Sequence, residues 1–228
     1  SMKRFSYILS LMAGFCLISF PAFAQEAAAA IAEASTAGET ATKTAPVLNG
    51  ADTAWILTAT ALVLFMTIPG LSLFYAGLVG RKNVLSVLMH CFMITAIMSI
   101  LWLVCGYSIA LGDASPYWGG LGEIFAKNLT ADGMSDAGLP DYLVFAFQMT
   151  FFIITPALMV GAFVERMKFS AMILFTSLWA LLVYAPVCHW VWGGNGFMLA
   201  WGTKDLAGGV VGHVTAGLGA LAACALAG

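Results

Sequence analysis

The chain has 228 residues, of which 61% are hydrophobic and only 9% charged, and its mean hydropathy is +0.95. Soluble globular domains carry about 25% charged residues, so this composition excludes an ordinary water-soluble protein and predicts a lipid surrounding. Lys and Arg number 9 against 11 Asp and Glu, and the formal charge of -2 leaves no basic patch for nucleic acid and no acidic disordered tail.

The N-terminus has the pattern of an export signal. Ser1 is typical of a cloning remnant; a basic pair and a short apolar run follow it, and the run ends in an A-x-A motif at residues 22–24. This order is typical of a secretory signal peptide, so residues 1–24 are predicted to be cleaved, with a short uncleaved anchor as the alternative. Residues 25–50 are rich in Ala and Thr and lack aromatic side chains, which predicts a solvated, low-complexity leader outside the cytoplasm.

Five apolar segments are long enough to cross a bilayer as helices. They lie at 55–79, 84–111, 142–164, 169–187 and 206–228. The sequence therefore predicts an all-α polytopic membrane protein with a membrane domain over 51–228. Gly and Pro residues interrupt several of these segments, as is typical of helices that pack closely or are kinked in a bundle.

The charges between the predicted spans indicate their orientation. Arg81 and Lys82 follow the first span, and Arg166 and Lys168 follow the third. Short basic connections face the cytoplasm, which predicts that the acidic loop at 112–141 faces outside. The mature N-terminus is then also outside, and the protein is expected in the cell inner (plasma) membrane.

Two polar residues of the last span are candidate site residues. His213 lies well inside the span, where an imidazole costs free energy unless it faces protein or a water-filled path. It can relay a proton near neutral pH, and the alternative is a histidine that is hydrogen-bonded to a neighbouring carbonyl. Asp205 precedes it by two turns and is predicted to cap backbone amides, with direct solute contact as the alternative.

Aromatic residues provide the other candidates. Phe147 and Phe151 are four residues apart and therefore share one face of the third span, whereas Phe152 points elsewhere. Trp192 lies at the outer end of the fourth span. Packing or lipid contact is the alternative for the phenylalanines, and a membrane belt is the alternative for the tryptophan. An aromatic face attracts a cation by ~0.5 to 2 kcal/mol, depending on desolvation.

The remaining polar residues are predicted to be structural. His90 is expected to make a helix-packing hydrogen bond, with a relay as the alternative, and His189 is expected to be solvated. Glu165 and Arg166 are interpreted as an ion pair or as anchors of a helix end. Asn83 is expected to cap the second span.

The sequence contains no motif of an enzyme or of a cofactor site. It has no Walker lysine motif, no H-E-x-x-H, no G-x-S-x-G and no cluster of Cys and His. Three scattered histidines do not supply the polar cluster that a membrane enzyme needs. A conduit for a small solute is the better interpretation, and no cofactor is expected.

Several motifs are similar to those of the ammonium transporter (Amt/Mep/Rh) family. They are FMTIPG at 65–70, LFYAGL at 73–78, KNVLS at 82–86, AFQ at 146–148, ER at 165–166, VWGG at 191–194, and DLAGG at 205–209 followed by His213. The resemblance extends from about Ala51 to Gly228. It implies an all-α, channel-like homotrimer in which each subunit has its own pore and two inverted five-helix repeats.

The resemblance places this chain in the first five-helix repeat, with the second inverted repeat absent. It implies that Trp192 helps to form an outer ammonium-recruitment site, that Phe147 lines the vestibule, and that Phe151 is one of two gate phenylalanines. His213 matches the first of two pore histidines. Asp205 matches a residue that supports the recruitment site without touching the solute. The second gate phenylalanine, a recruitment-site serine and the second histidine would lie beyond residue 228.

The expected function is therefore transport of ammonium or ammonia through a hydrophobic pore. Membrane lipid and a cytoplasmic PII-type signalling protein are the expected partners, and nucleic acid is not. Two alternatives stay open. The helices can act as an ammonium sensor that reports to a signalling partner, or the half-length chain is a fragment that does not transport by itself.

Overall fold

Five apolar helices account for most of residues 47–227, which are the residues that the computed structural model describes. The helices, named α1 to α5, cover Gly50–Leu78, Val84–Leu111, Asp141–Phe163, Phe169–Ala200 and Gly209–Ala227. Between residues 47 and 227 the chain forms no β-strand. The predicted all-α polytopic class is thus confirmed, while the signal peptide predicted at 1–24 and most of the leader predicted at 25–50 lie outside the described residues.

Three of the five helices contain a π-helical turn, and α1 is kinked. The π turns lie at Trp102–Gly106 in α2, Ala180–Tyr184 in α4 and Gly209–Val214 in α5, and the kink lies at Met66–Leu71, where the backbone of Ile68 is not helical. The α-helical stretches are Gly50–Phe65, Ser72–Leu78, Val84–Leu101, Tyr107–Leu111, Asp141–Ala157, Val160–Phe163, Phe169–Trp179, Ala185–Trp192, Phe197–Ala200 and Thr215–Ala227, and a short 3-10 helix covers Ile124–Ala126. A π turn holds an extra residue and is frequent at functional sites.

The helices begin and end close to the predicted bounds, with two differences. Helix α1 begins before residue 55, because the side chain of Asn49 accepts a hydrogen bond from the amide of Asp52 at 3.1 Å and caps the helix. Helix α4 continues beyond residue 187, where the Trp190 indole donates to the Tyr117 carbonyl oxygen at 2.8 Å. In both cases a polar contact at the helix end extends the helix past its apolar run.

The prediction that His189 is solvated is wrong. Its side chain is 0% exposed, and its Nδ1 and Nε2 atoms lie 3.2 Å and 2.7 Å from the carbonyl oxygens of Ala110 and Ser115. The loop after α2 folds over this end of α4 and excludes water from the imidazole. His189 therefore joins α2, the loop and α4.

The middle of the bundle packs around Trp102 of α2. Its side chain is fully buried, and its indole donates to the carbonyl oxygen of Phe145 in α3 at 3.2 Å. Its ring centroid lies 5.1 Å from that of Phe152 and 5.7 Å from that of Tyr107. Lipid tails are as apolar as these side chains, so close packing and interhelical hydrogen bonds hold such helices together.

Glu165 connects the segment at 79–83, between α1 and α2, to the end of α3. Its Oε1 atom accepts from the side-chain amide of Asn83 at 2.7 Å and from the amide of Gly80 at 3.4 Å. Arg166 donates instead to the Cys224 sulfur at 3.0 Å. Glu165 and Arg166 thus make separate contacts and not an ion pair, which agrees with the other predicted interpretation, that they anchor a helix end. Asn83 occupies the N-cap position of α2, but its side chain binds Glu165 and does not cap the helix as predicted.

His90 is buried within α2. Its Nδ1 atom lies 2.6 Å from the carbonyl oxygen of Ser86, one turn earlier in the same helix, and its ring packs edge-on against Phe169 at 5.2 Å. The hydrogen bond predicted between helices is therefore made within one helix. His90 does not line the cavity described below.

Gly119, in the loop after α2, provides a test of the packing at this end. A Cβ at this position would lie 2.5 Å from the carbonyl oxygens of Ser108 and Ile109, which are backbone atoms that cannot turn away. We expect Gly119→Ala to lower the free energy of unfolding by about 1–3 kcal/mol, the usual cost of overpacking, measured by thermal melting in detergent. Gly122→Ala is the matched control because a Cβ there meets open space. Equal melting temperatures for the two variants would contradict the contact.

Candidate functional site

A cavity of about 320 Å³ lies between α1, α3, α4, α5 and the connection that precedes α5. Its wall consists of Val63, Met66, Gly70, Leu71, Phe151, Ile154, Thr155, Leu158, Tyr184, Trp192, Ala207, Gly208, Gly212 and His213. Three of the five predicted site residues, Phe151, Trp192 and His213, therefore line one cavity. The other two, Phe147 and Asp205, contact lining residues. The kink of α1 and the π turns of α4 and α5 also contribute to this wall.

Three aromatic rings contact one another in series, and two of them, Phe151 and Trp192, line the cavity. Phe147 and Phe151 meet edge to face with ring centroids 5.0 Å apart, and Phe151 meets Trp192 in the same manner at 5.8 Å. The prediction that Phe147 and Phe151 share a face of α3 is thus confirmed. Phe152 points away as predicted, since it is fully buried and packs against Trp102 and Tyr184.

The carboxylate of Asp205 holds the start of α5. Its Oδ1 atom accepts from the amide of Gly209 at 2.7 Å, and its Oδ2 atom accepts from the amides of Val210 and Val211 at 2.8 and 2.9 Å. The first amides of a helix have no partner within the helix, and a carboxylate there also complements the helix dipole. The predicted cap is confirmed, and the carboxylate oxygens are occupied by backbone amides rather than left free for a solute.

The indole of Trp192 is fixed to the same residue. Its Nε1–H donates to the carbonyl oxygen of Asp205 at 2.7 Å. Between Asp205 and α5 the chain turns at Gly208, whose φ of 76° lies in the left-handed region that favours glycine. A Cβ at Gly208 would lie 3.5 Å from the indole. The turn therefore brings the backbone close to the ring and holds the ring at the cavity.

His213 lines the cavity, and one of its two ring nitrogens is hydrogen-bonded to the backbone. Its Nδ1 atom lies 2.9 Å from the carbonyl oxygen of Gly208. A carbonyl oxygen only accepts, so in the neutral ring Nδ1 carries the proton and Nε2 is left to accept one. The predicted alternative, a histidine that is hydrogen-bonded to a neighbouring carbonyl, is therefore observed in a residue that also lines the cavity. In the described bundle its side chain is exposed.

Some cavity residues were not predicted from the sequence. Thr155 follows Phe151 by four residues and lies on the same face of α3, so helical spacing alone indicates it. Tyr184 has no comparable signal. It lies in the π turn at Ala180–Tyr184, eight residues before Trp192, whereas helical spacing indicates the neighbours three or four residues away.

The cavity combines aromatic rings at one end with an imidazole and a largely apolar wall. Aromatic faces attract cations, and an imidazole exchanges a proton near neutral pH. An apolar wall disfavours a permanent charge. Within residues 47–227, no group of three or more His, Cys, Asp and Glu side chains is placed to hold a metal ion.

The helices and the cavity define a multi-pass α-helical membrane protein with a solute-sized cavity inside the bundle. Residues 54–228 match the model of the Ammonium Transporter Family. The chain therefore belongs to the ammonium transporter family.

Individual relatives agree with this membership. The chain is 47% identical over 178 residues to an ammonium transporter of Aquifex aeolicus, with 76% of this chain and 41% of that protein covered. It is 46% identical over 171 residues to an ammonium transporter of Bacillus subtilis, with 75% and 42% covered. The chain thus spans less than half the length of these relatives.

Solved structures give the same fold. The crystal structure of Candida albicans Mep2 matches with a TM-score of 0.70 and 34% identity, over 77% of this chain and 38% of that one. A structure described as a Sensor Amt Protein matches with a TM-score of 0.70 and 27% identity, over 76% of this chain and 43% of that one.

The cap at Asp205 predicts a local effect on α5. Asp205→Ala removes the acceptor of three amides, and we expect it to lower the free energy of unfolding by about 1–2 kcal/mol, as loss of a helix cap does. Hydrogen exchange at the amides of residues 209–211 becomes faster, and Asp205→Asn, which keeps one acceptor oxygen, has a smaller effect. Asp132→Ala in the exposed loop is the control. Unchanged exchange at residues 209–211 in Asp205→Ala would refute the cap.

Proposed function

We propose that the protein, at its natural length, moves ammonium or ammonia across a membrane through the cavity that Phe151, Trp192 and His213 line. The observation that carries this proposal is the meeting of these three side chains in one largely apolar cavity. Family membership supports the choice of solute. The chemistry of these groups supports a sequence of two steps.

The first step is recruitment of the ammonium cation at the aromatic end. Trp192 is the best aromatic ring for a cation, and Phe151 stands beside it at 5.8 Å. The hydrogen bond from the indole to Asp205 fixes the ring before the cation arrives, so little ordering is needed on binding. Asp205 acts here by positioning the indole.

The second step is loss of a proton before passage. A full charge is expensive among apolar side chains, so ammonium that gives up a proton crosses as ammonia with a lower barrier. The Nε2 atom of His213 is the acceptor, because Nδ1 is held by Gly208. Potassium has no proton to lose. A cavity with such a relay therefore discriminates by chemistry where size does not.

A closed pore needs a further element beside His213. The imidazole is exposed in the described bundle, and an imidazole that faces lipid is unfavourable. The second inverted repeat that the resemblance implies would cover this side of the cavity. Transport is therefore assigned to the natural-length protein and not to this five-helix unit alone.

The positions of the charged residues support an orientation. The connections that carry Arg81 and Lys82, and Arg166 and Lys168, meet at one end of the bundle through the contact between Asn83 and Glu165. Basic connections face the cytoplasm in most membrane proteins. Trp192 is then at the outer surface of the inner membrane, where it meets external ammonium. Assembly as a homotrimer follows from the family resemblance.

A sensor is the second candidate, because the chain is similar to a structure described as a Sensor Amt Protein. In a sensor the same cavity binds ammonium, and the bound state is passed to a signalling partner. Binding without flux distinguishes this function from transport.

Trp192 is tested in the natural-length protein reconstituted in liposomes, with ammonium-evoked current as the measurement. We expect Trp192→Leu to raise the half-saturating ammonium concentration about two- to thirtyfold, which corresponds to loss of a cation–π contact. Trp192→Phe keeps a π face without the N–H donor and separates the two contributions. Trp201→Leu is the control, since Trp201 is 77% exposed and does not line the cavity. If the current of Trp192→Leu depends on ammonium concentration as the wild-type current does, Trp192 has a structural role only.

His213 is tested by the same current with potassium as competitor. We expect His213→Ala to lower the ammonium current roughly a hundredfold, the range in which a positioned proton acceptor contributes, or to admit potassium. His213→Asn keeps a donor for the Gly208 carbonyl oxygen but cannot relay a proton. If His213→Asn restores the wild-type rate and selectivity, the histidine serves packing rather than proton transfer.

A further inference from the structure

Exposed aromatic rings gather at the end of α4, outside the cavity. The ring of Phe197 packs against three other aromatic rings, and their centroids lie 5.1 Å (Tyr117), 5.4 Å (Trp190) and 4.9 Å (Trp201) from its own. Trp201 is 77% exposed and Tyr117 is 66% exposed. These four residues, called the aromatic platform below, do not line the cavity. They form a surface that the proposed transport site does not use.

The aromatic platform is held together by the backbone. The chain is extended at Gly196, and a Cβ there would lie 2.5 Å from the carbonyl oxygen of Trp190, so the chain folds back closely onto the preceding helical stretch. The amide of Phe197 donates to the carbonyl oxygen of Pro116 at 3.1 Å. The Trp190 indole donates to that of Tyr117 at 2.8 Å. The loop after α2 and the end of α4 therefore hold the rings in fixed positions.

The length of α4 places the aromatic platform at a membrane surface. The helix has 32 residues, whereas about 20 residues cross the hydrocarbon core of a bilayer. It begins at Phe169, directly after the basic connection that carries Lys168, so its other end reaches the opposite membrane surface. Leu178 and Leu182, nearer the middle of the same helix, are exposed. Exposed apolar surface therefore continues along α4 from membrane depth to the aromatic platform.

We propose that the aromatic platform binds lipid, and that its exposed rings rest in the layer where the headgroups meet the acyl chains. Trp and Tyr each combine an apolar ring with one polar tip, and they are enriched in this layer because the ring contacts acyl chains while the tip contacts polar groups. Lipid is favoured over a protein partner because the aromatic platform continues the exposed apolar surface of α4. The proposal requires only that the chain spans a membrane and does not depend on which solute is transported.

Tryptophan fluorescence of the natural-length protein in liposomes tests the proposal. Trp201→Phe removes one exposed indole but keeps an aromatic ring, so the difference between the wild-type and variant spectra isolates the emission of Trp201. Bromine atoms quench an indole that they touch. We expect lipids that are brominated next to the headgroup to abolish most of this emission, and lipids that are brominated at the end of the acyl chain to abolish less of it.

Trp179→Phe is the matched control. Trp179 lies in the same helix, but its side chain is only 7% exposed. We expect the emission that this variant isolates to resist both brominated lipids and iodide added to the water. A melting temperature in detergent equal to that of the wild type verifies that each variant is folded.

Three outcomes would overturn the proposal. Quenching of Trp201 by iodide but not by brominated lipids would show that the aromatic platform faces water. Quenching by neither would show that protein covers it, as a neighbouring subunit or the second repeat would do. Stronger quenching by lipids brominated at the end of the acyl chain would place Trp201 in the hydrocarbon core instead of the headgroup layer.

Discussion

Backbone amides at the start of a helix inside an apolar bundle must find acceptors, and the way α5 meets this requirement determines the geometry of the site. Asp205 supplies its carboxylate to three of these amides, and its carbonyl oxygen receives the indole of Trp192. A few residues later, the carbonyl oxygen of Gly208 receives the imidazole of His213. One short stretch of chain therefore positions both the aromatic and the basic group of the cavity. A disturbance of this stretch therefore displaces the indole and the imidazole together.

The polar atoms around the cavity fall into two groups. The carboxylate of Asp205 and the hydroxyl of Thr155 are engaged with the backbone, so they shape the wall without offering a partner to a solute. The Nε2 atom of His213 is a group that remains for one. In a largely apolar cavity, such free groups determine where a polar solute stops. A dry wall with few free polar atoms favours small solutes that change their charge over large hydrated ions.

The sequence predicts most of this fold because lipid imposes a simple rule, that each span must be a long apolar helix. It predicts Phe147 and Phe151 on one face because four residues make about one helical turn. Two features of the structure cannot be predicted from such local rules. His189 is buried by the loop after α2, which folds back over α4, and no local sequence pattern indicates this long-range contact. Tyr184 lies eight residues before Trp192, and helical spacing indicates only the neighbours three or four residues away.

The π turns at Ala180–Tyr184 and Gly209–Val214 have a consequence for how this chain tolerates changes in length. Each holds one residue more than an α-helix of equal height, and that residue turns the rest of the helix by about 100°. Deleting a single apolar residue from Ala180–Tyr184 would leave hydropathy and span length almost unchanged. The π turn would nevertheless become regular α-helix, and Trp192 would rotate away from Phe151. The chain would still insert in a membrane as five spans, but α4 would present a different face to the cavity.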